Sequence, residues 1–336
     1  MAGARTGGAE LFFERLVLAM HAAGDAVLPV IRRDRVRAGR LAAVGAVQLG
    51  FGGTLDLVTR VRLRRRLHRF RPGVVVSWMG RAAAVAPRGD WLLAGRLGGY
   101  YDLRRFRRCD WLVANTRGLA AWVVRQGWPA DRVQHLPNFA PDLVGAAPAL
   151  LPVPAGAPVV LAMGRLHRNK AFDVLVRAMP GLPGVHVVVA GEGPEREALL
   201  ALAHSEGVGD RLHLLGWRGD QGALLAAATV LCCPSREEVL GNVVLEAFSA
   251  GVPVVAAASA GPTELIRDGV DGVLVATEDA MALADALRGV LDDRILSERL
   301  AEAGRGVFET EHAEAVVLRQ WREWCVAMSR HTGERV

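Results

Sequence analysis

Residues 234–255 read Pro-Ser-Arg-Glu-Glu-Val-Leu-Gly-Asn-Val-Val-Leu-Glu-Ala-Phe-Ser-Ala-Gly-Val-Pro-Val-Val. The short apolar run Val230–Cys233 lies directly before this stretch, and a second one, Pro253–Ala256, lies at its end. Both are typical of buried strands. Between them, Asn242–Ala250 has the length and composition of a short helix, and Gly251 provides its stop signal. The order strand, helix, strand predicts part of a parallel α/β sheet.

The loop that enters this helix carries two features that suit a charged ligand. A helix N-terminus offers unpaired N–H groups and about half a positive charge, so it can hold an anion such as a diphosphate. Glu246, one turn into the helix, can reach a pair of vicinal hydroxyls, and Glu238 on the loop can reach a third polar group. This is a nucleotide-sugar site in outline. The alternative is a surface helix with two unrelated carboxylates.

A second loop supplies positive charge. The apolar run Pro158–Met163 predicts a buried strand, and a helix is expected from about Ala171. Arg165 and Lys170 lie on the loop between them, so both can point at the crevice above the strand end. Two cations there would neutralise a diphosphate leaving group. Lys170 is the single lysine among 41 basic residues, so composition does not explain it, and a compact ammonium differs from a guanidinium in reach and hydration.

These two loops resemble the motifs of glycosyltransferase family 4. Glu238 and Glu246 match its E-x7-E signature, and residues 164–171 match its Gly-Arg-Leu-x3-Lys-Gly motif with Ala in the last place. The resemblance implies an α/β GT-B fold, with two Rossmann-like doubly wound parallel-sheet domains facing across a cleft and a C-terminal helix crossing back. It also implies that Arg165 and Lys170 clamp the diphosphate, that Glu238 contacts the donor sugar, and that Glu246 binds the ribose.

The candidate site follows from these motifs and from the glycine loops near them. The catalytic candidates are Arg165, Lys170 and Glu238. The donor-binding candidates are Gly7, Gly8, Gly164, Gly191, Gly193, Trp217, Arg218, Leu240, Gly241, Asn242, Val243 and Glu246. No metal ligands and no cofactor are expected, because the chain has no D-x-D-type pair and its cationic side chains can do an ion's work.

The length of 336 residues favours two domains. We expect an acceptor-binding domain over 1–145, an uncharged linker over 146–156, a nucleotide-sugar-binding domain over 157–312 and a crossing helix over 313–336. The first domain lacks an evident first strand, since only six residues precede the Gly-Gly pair at its start. We expect an upstream start rather than a truncated sheet, because a missing central strand would leave its neighbours unpaired.

Charge is distributed unevenly. Residues 1–150 hold 24 arginines and 10 acidic residues, whereas residues 151–336 hold 17 basic and 25 acidic residues. The predicted helix Leu55–Phe70 is the most basic stretch, which indicates an anionic partner. Nucleic acid is disfavoured, since stacking aromatics and known binding motifs are missing. Anionic lipid headgroups, worth roughly 1 kcal/mol per basic residue, fit better. A general bias towards arginine is the alternative.

The sequence contains no apolar run near the ~18 residues of a membrane span. The longest, Leu41–Gly53, is too short, and charges interrupt Leu11–Met20, so it is no signal peptide. The four cysteines lack metal or disulfide spacing. We therefore expect a cytoplasmic protein that lies peripherally on the inner face of the cytoplasmic membrane.

The resemblance implies a retaining, metal-independent hexosyltransferase. It would move a sugar from a UDP- or GDP-sugar to a hydroxyl of a glycan or lipid-linked acceptor in cell-surface polysaccharide or lipopolysaccharide biosynthesis. One alternative is an epimerase-like sugar-nucleotide enzyme of the same fold, although no convincing proton-transfer set appears in the first half. The other is a non-catalytic nucleotide-sugar binder, if the first strand is truly absent.

Overall fold

A computed structural model describes residues 1–3, 7–52 and 56–333, with side chains described as far as residue 330. The chain forms two compact units. The first consists of Met1–Phe139 with Glu314–Val336, and the second of Ala140–Ala313. Each unit is an α/β structure with parallel strands, as the sequence predicts.

In the first unit, helices and strands alternate along the chain. They are α1 Gly8–Ala22, β1 Val30–Arg32, α2 Arg35–Arg40, β2 Val47–Leu49, α3 Leu57–Phe70, β3 Val74–Trp78, α4 Met79–Val85, β4 Leu92–Leu97, β5 Trp111–Ala114, α5 Arg117–Arg125 and β6 Val133–His135. Strands β1 and β2 form a parallel pair, and the other four form a parallel sheet in the order β3-β4-β5-β6.

The second unit is built on one six-stranded sheet. Its elements are β7 Val159–Met163, α6 Phe172–Ala178, β8 His186–Ala190, α7 Arg196–Ser205, β9 Leu212–Gly216, α8 Gln221–Ala226, β10 Val230–Cys233, α9 Asn242–Ala250, β11 Val254–Ala257, α10 Ala260–Leu265, β12 Val273–Val275, α11 Ala280–Asp292 and α12 Arg294–Val307. The strand order is β12-β11-β10-β7-β8-β9, and every pairing is parallel.

The central strand β7 shows why this sheet needs helices on both faces. Val160 and Ala162 point into one hydrophobic core, and Val159, Leu161 and Met163 point into the other. Side chains alternate across a strand, so a run that is apolar at every position must be covered on both sides. Because all the strands are parallel, the loops after their carboxyl ends meet at one edge of the sheet.

The last helix, α13 (Glu314–Gly333), belongs to the first unit. Val317, Trp321 and Trp324 are buried in that unit's core, and the Trp321 ring lies 6.3 Å from the Trp78 ring in a stacked arrangement. The family resemblance implies that this helix crosses back to the first domain, and the structure confirms it. Within the described residues, none of the helices combines the length and the apolar character that a membrane crossing needs.

Some local predictions for the first unit are wrong. The apolar run Leu41–Gly53, which the sequence analysis considers only as a membrane span, contains strand β2. The basic helix expected over Leu55–Phe70 begins at Leu57, where Asp56 caps it by accepting from Thr59 N–H at 2.9 Å. Leu55 lies outside the described residues.

Residues 140–156, which the sequence analysis divides between the first domain and a linker, pack on the second unit. Leu143, Leu151 and Val153 contact its core, and the Ala149 N–H donates to the Ala223 carbonyl at 2.8 Å. The Ala/Pro/Leu composition of this segment therefore reflects side chains that pack on a neighbouring core rather than a free connector.

Candidate active site

Loops at the carboxyl edge of the second unit's sheet bring together residues from distant parts of the chain. The loop after β7 and the glycine loop after β8 touch backbone to backbone: the Leu166 N–H donates to the Glu192 carbonyl at 3.0 Å. A Cβ on Gly191 would lie 1.7 Å from the Gly164 oxygen, and one on Gly193 would lie 2.2 Å from the Leu166 oxygen. Both glycines are thus required by this loop contact, and their expected role in donor binding stays a prediction.

The centre of the edge is an ion pair between Lys170 and Glu238. Lys170 Nζ donates directly to Glu238 Oε2, and about a fifth of each side chain is exposed. Burial opposes the charge on Lys170, but the carboxylate outweighs it and raises the pKa of the lysine. Lys170 is therefore held as a cation. The two oppositely charged groups that the sequence singles out in separate motifs are direct partners.

Polar atoms and a thiol lie behind Glu238. Ser235 is buried, and its hydroxyl donates to Glu238 Oε2 at 3.4 Å. The Cys233 Sγ lies 3.8 Å from the same hydroxyl, and burial raises the pKa of this thiol. Cys233 is consequently a neutral thiol at pH 7, and Glu238 keeps two donors, one of them cationic, on one carboxylate oxygen.

Arg236 braces the loop that carries Glu238. Its guanidinium makes two bonds to Asp173, at 2.7 and 2.6 Å, donates to the Arg168 carbonyl at 2.7 Å and also pairs with Glu278. These partners raise the pKa of Arg236. The planar fork of an arginine suits such multiple bonding. One side chain thus joins the Glu238 loop to the loop of Lys170, which fixes the two halves of the ion pair.

Helix α9 begins beside this pair. Gly241 caps it with φ +90°, a left-handed conformation that glycine adopts without strain. A Cβ there would lie 3.5 Å from Glu238 Cγ, and one on Gly261 would lie 2.4 Å from the Leu240 oxygen. The turn is therefore tightly packed on both sides. This turn places the N-terminus of α9 next to Lys170 and Glu238, and Glu246 is buried one turn further along the helix.

Ala171 occupies the position where the resembling family motif has glycine. Its φ is +54°, and it is fully buried at the start of α6. The turn after Lys170 is therefore left-handed, as a glycine motif would require. The substitution has not removed the turn, and Lys170 still reaches Glu238.

The other predicted site residues differ in their positions, and among them Arg165 lies near enough to Lys170 to oppose the charge of that lysine. Arg165 is exposed on its loop, Trp217 is 57% exposed, and Arg218 forms an ion pair with Asp220. Gly7 and Gly8 belong to the first unit. The remaining donor-binding candidates, Asn242 and Val243, form the first turn of α9.

Gly7 has a structural role in the first unit. A Cβ at this position would lie 2.5 Å from Glu10 Oε2, and Glu10 is buried at the start of α1. Gly7 therefore provides the space that the Glu10 carboxylate occupies.

The two tyrosines of the chain pack against other aromatic side chains: Tyr100 against Trp122 and Tyr101 against Phe106.

Sequence reasoning missed three residues at the second unit's edge. Ser235 and Arg236 stand next to the motif, but their partners become evident only when distant segments meet. Ser259 follows β11 and is buried, and its hydroxyl has no hydrogen-bond partner. A buried hydroxyl without a partner at the edge of a site is suited to a ligand contact. Within the described residues, no group of three His, Cys, Asp or Glu side chains is placed to hold a metal ion.

The site lies inside the region that matches a known family. Residues 148–307 match the family described as "Glycosyl transferases group 1". Two lipopolysaccharide core biosynthesis glycosyltransferases of Rhizobium meliloti (strain 1021) are similar over most of the chain. LpsE is 35% identical over 89% of this chain and 90% of its own length, and LpsD is 33% identical over 93% and 92%.

Solved structures show the same fold. Anabaena Alr3699/HepE in complex with UDP has a TM-score of 0.83 at 19% identity, covering 97% of this chain and 98% of that one. WaaG, a glycosyltransferase involved in lipopolysaccharide biosynthesis, has a TM-score of 0.71 at 19% identity, covering 95% and 96%. With relatives above 30% identity along nearly their whole length, the chain belongs to the group 1 glycosyltransferases.

Proposed function

We propose that the second unit binds a nucleoside diphosphate sugar at the carboxyl edge of its sheet. The enzyme would transfer the sugar, with retention of configuration and without a metal ion, to a hydroxyl of a glycan or lipid-linked acceptor in the assembly of a lipopolysaccharide core or a similar surface glycan. The observation that carries this proposal is the ion pair of Lys170 and Glu238 beside the N-terminus of α9.

The charges of the edge support a diphosphate ligand. Lys170 and Glu238 neutralise each other, so the remaining positive potential comes from Arg165 and from the N–H groups of α9. An arriving diphosphate would compete with Glu238 for Lys170. Glu238 would then be free to accept a hydrogen bond from a sugar hydroxyl. In the bound state Lys170 would pair with the diphosphate in place of Glu238. Glu246, buried on α9, would bind the ribose.

The relatives support the nucleotide and the pathway. LpsE and LpsD act in lipopolysaccharide core biosynthesis according to their names, and Alr3699/HepE has been crystallised with UDP and with UDP-glucose. UDP is accordingly the first nucleotide to test, with GDP second. In the transfer step, cationic groups would stabilise the negative charge that develops on the departing diphosphate.

Glu246→Gln tests donor binding. We expect one nucleoside diphosphate sugar to raise the unfolding temperature of the wild-type protein, and the substitution to weaken that affinity by about tenfold or more, since hydrogen bonds of a charged group are worth roughly 1.5–3 kcal/mol. The measurement is a thermal-shift titration with UDP- and GDP-sugars, free UDP and GDP, and NAD.

Glu237→Gln is the matched control, because Glu237 is exposed one position from Glu238 and the change removes the same charge. A shift with NAD alone would contradict the donor assignment. Donor binding without transfer to any acceptor would favour a non-catalytic binder. Conversion of the free sugar nucleotide to an epimer would favour the epimerase-like alternative.

Helix α3 supports peripheral attachment to an anionic membrane, where a lipid-linked acceptor would lie. Thr59, Leu63 and Leu67 are its buried residues. The exposed surface combines apolar side chains near the N-terminus, Leu57, Val58 and Val61, with a row of arginines. Four of these, Arg62, Arg65, Arg66 and Arg69, line one shallow depression beside β2. Such a helix can insert its apolar side chains while its arginines meet headgroups.

Replacing Arg62, Arg65, Arg66 and Arg69 by Gln should reduce sedimentation with anionic vesicles by more than tenfold, since each basic residue contributes about 1 kcal/mol at such a surface. Wild-type binding should weaken with added salt. The control replaces four exposed arginines elsewhere, Arg125, Arg132, Arg294 and Arg299, and so makes the same change in net charge. If both variants lost vesicle binding equally, the net charge of the protein would explain the binding, and a specific role for α3 would be contradicted.

A further inference from the structure

Three buried polar residues lie at the carboxyl edge of the four-stranded sheet in the first unit. Arg96 stands near the end of β4, Asn115 directly follows β5, and Asn138 lies shortly after β6. The strands are parallel, so their carboxyl ends meet at one edge, where open α/β sheets bind their ligands. These three residues are called the first-unit edge cluster below.

Arg96 is a buried cation without a counter-anion. Its Nη1 donates to the Leu97 carbonyl at 2.6 Å and its Nη2 to Asn138 Oδ1 at 2.7 Å, while its Nε is buried and has no hydrogen-bond partner. Among the described residues, no carboxylate forms an ion pair with Arg96, and the Tyr101 phenol beside it has a raised pKa. Burial lowers the pKa of Arg96 to about 9, so it is still charged at pH 7.

Aromatic rings hold the guanidinium in place. The Arg96 Cζ lies 5.6, 5.5 and 5.8 Å from the ring centroids of Phe12, Trp78 and Trp321. Ring faces attract a cation, but they do not neutralise it, and buried charges in proteins are normally paired. The bonds to Leu97 and Asn138 keep the guanidinium at the end of its strand. A positive charge is therefore fixed at the edge that ligands reach.

Asn115 provides a second, independent observation. It is 6% exposed, and its Oδ1 has no hydrogen-bond partner. Arg96 is paired with Val113 in the ladder of β4 and β5, so Asn115 lies two residues further towards the same edge, roughly 8 Å from Arg96 by strand spacing and rise. Buried polar atoms are rarely left without a partner. This oxygen is therefore placed to accept a hydrogen bond from a ligand.

We propose that Arg96 and Asn115 bind the acceptor through an acidic sugar. Arg96 pairs with the carboxylate or phosphate group of that sugar, and Asn115 accepts a hydrogen bond from one of its hydroxyls. The inference rests on the proposed function, in which the acceptor is a glycan, and it narrows the acceptor to one that carries negative charge beside its hydroxyls.

A sugar fits this cluster better than a simple anion. A carboxylate ion alone has no donor for Asn115 Oδ1, whereas a sugar acid supplies both the anion and the hydroxyl. Tyr100 is 49% exposed on the turn after β4, and its ring is held edge-on against Trp122 at 5.2 Å. An exposed, rigid aromatic ring next to a polar cluster offers contact area to the apolar face of a sugar ring.

The test measures binding of glucuronate, glucose 6-phosphate and glucose to the whole chain. We expect at least one of the two acids to raise the unfolding temperature with increasing concentration and to change the tryptophan emission, because Trp78 and Trp321 lie against Arg96. Glucose at the same concentration should do neither. The comparison of the two acids shows whether the cluster prefers a carboxylate or a phosphate.

Three variants locate the binding. Arg96→Gln should weaken the affinity for the acid by about tenfold or more, since it removes a charged partner, and Arg96→Lys should keep part of it. Asn115→Ala should weaken the affinity severalfold and leave the unfolding temperature of the free protein unchanged, because its Oδ1 has no hydrogen bond to lose. Arg125→Gln is the matched control, since Arg125 is exposed at the end of α5.

Lys170→Ala separates this cluster from the donor site of the second unit. The variant should bind the acid as the wild type does, and loss of binding would mean that the acid occupies the donor site, which would overturn the proposal. Equal binding of glucose, binding of neither acid, or unchanged affinity in Asn115→Ala would overturn it as well. None of these results touches the donor titration, so a failure here leaves the proposed function standing.

Discussion

Lys170→Ala is expected to lower kcat/KM by about 10²–10³-fold, the loss typical of a single group that stabilises developing charge in a transition state. In this chain no neighbouring lysine can take over, because Lys170 is the single lysine. Arg165 is exposed, and Arg236 is engaged with Asp173 and Glu278. The measurement is the steady-state rate of sugar transfer with the donor that the thermal-shift titration identifies. Arg168→Gln is the control, since it removes one exposed charge from the same loop.

Lys170→Ala should also reduce the free energy of unfolding. A lower transfer rate alone would therefore not distinguish lost catalysis from lost stability. Removing the ammonium leaves the Glu238 carboxylate largely buried and without its cationic partner, a loss of about 1–3 kcal/mol. The double variant Lys170→Met with Glu238→Gln removes both charges, so most of the stability should return while the activity stays low. Chemical denaturation and transfer rates, measured on the single and double variants, separate the two effects. A Lys170 variant with the rate of the wild type would show that the site is wrongly assigned.

Stability should fall markedly as the pH drops from 8 to 5, because of the amino group of Met1. Burial, with a smaller contribution from Arg37, lowers the pKa of this group from 8.0 to about 5. In this window the unfolded chain binds a proton that the folded chain does not, so stability increases with pH. The contribution is complete above pH 8, declines through the window and is lost below pH 5. Its full size is about 4 kcal/mol, at 1.36 kcal/mol for each pKa unit.

Chemical denaturation across pH 5–8 of the free chain and of the chain acetylated at Met1 isolates this group. Other groups titrate in the same range, among them His213, whose pKa burial lowers, but they contribute equally to both proteins. The difference between the two curves should therefore grow towards pH 5. Parallel curves would mean that the amino group is solvated in the folded state.

The local patterns of the sequence predicted the α/β fold class, and the resemblance of two motifs to a known family predicted the crossing of the last helix to the first unit. The reason the fold class could be predicted is that the second unit follows local rules: its strands are short apolar runs, and glycine or proline residues lie between strands β7 to β10 and the helices that follow them. Val230–Cys233 and Asn242–Ala250 have the predicted bounds. The motif residues also lie after strands, where a parallel sheet gathers its loops.

Only the tertiary structure decided which charges meet. Nothing in the spacing of the motifs reveals that Lys170 and Glu238 are partners or that Arg236 joins their loops, since these contacts connect segments more than 60 residues apart. The arginines illustrate the same limit. Arg37 is buried against Glu14, and Arg96 is buried with a bond to Asn138. By contrast, Arg62, Arg65, Arg66 and Arg69 of α3 face solvent, and composition cannot tell the two groups apart.

The first unit shows where local rules fail and why. Ala26, Val27 and Leu28 are apolar as a strand would require, but Pro29 lacks a ladder N–H, and strand β1 begins only at Val30. A strand needs partners on its edges as well as an apolar sequence, and within the described residues Met1 bonds to the Val30 carbonyl and the Arg32 N–H on this edge. Only the tertiary structure shows that, among the described strands, β1 pairs with β2 alone and that both are three residues long. A strand's length depends on the partners that pair with its edges, and a local apolar run does not reveal those partners.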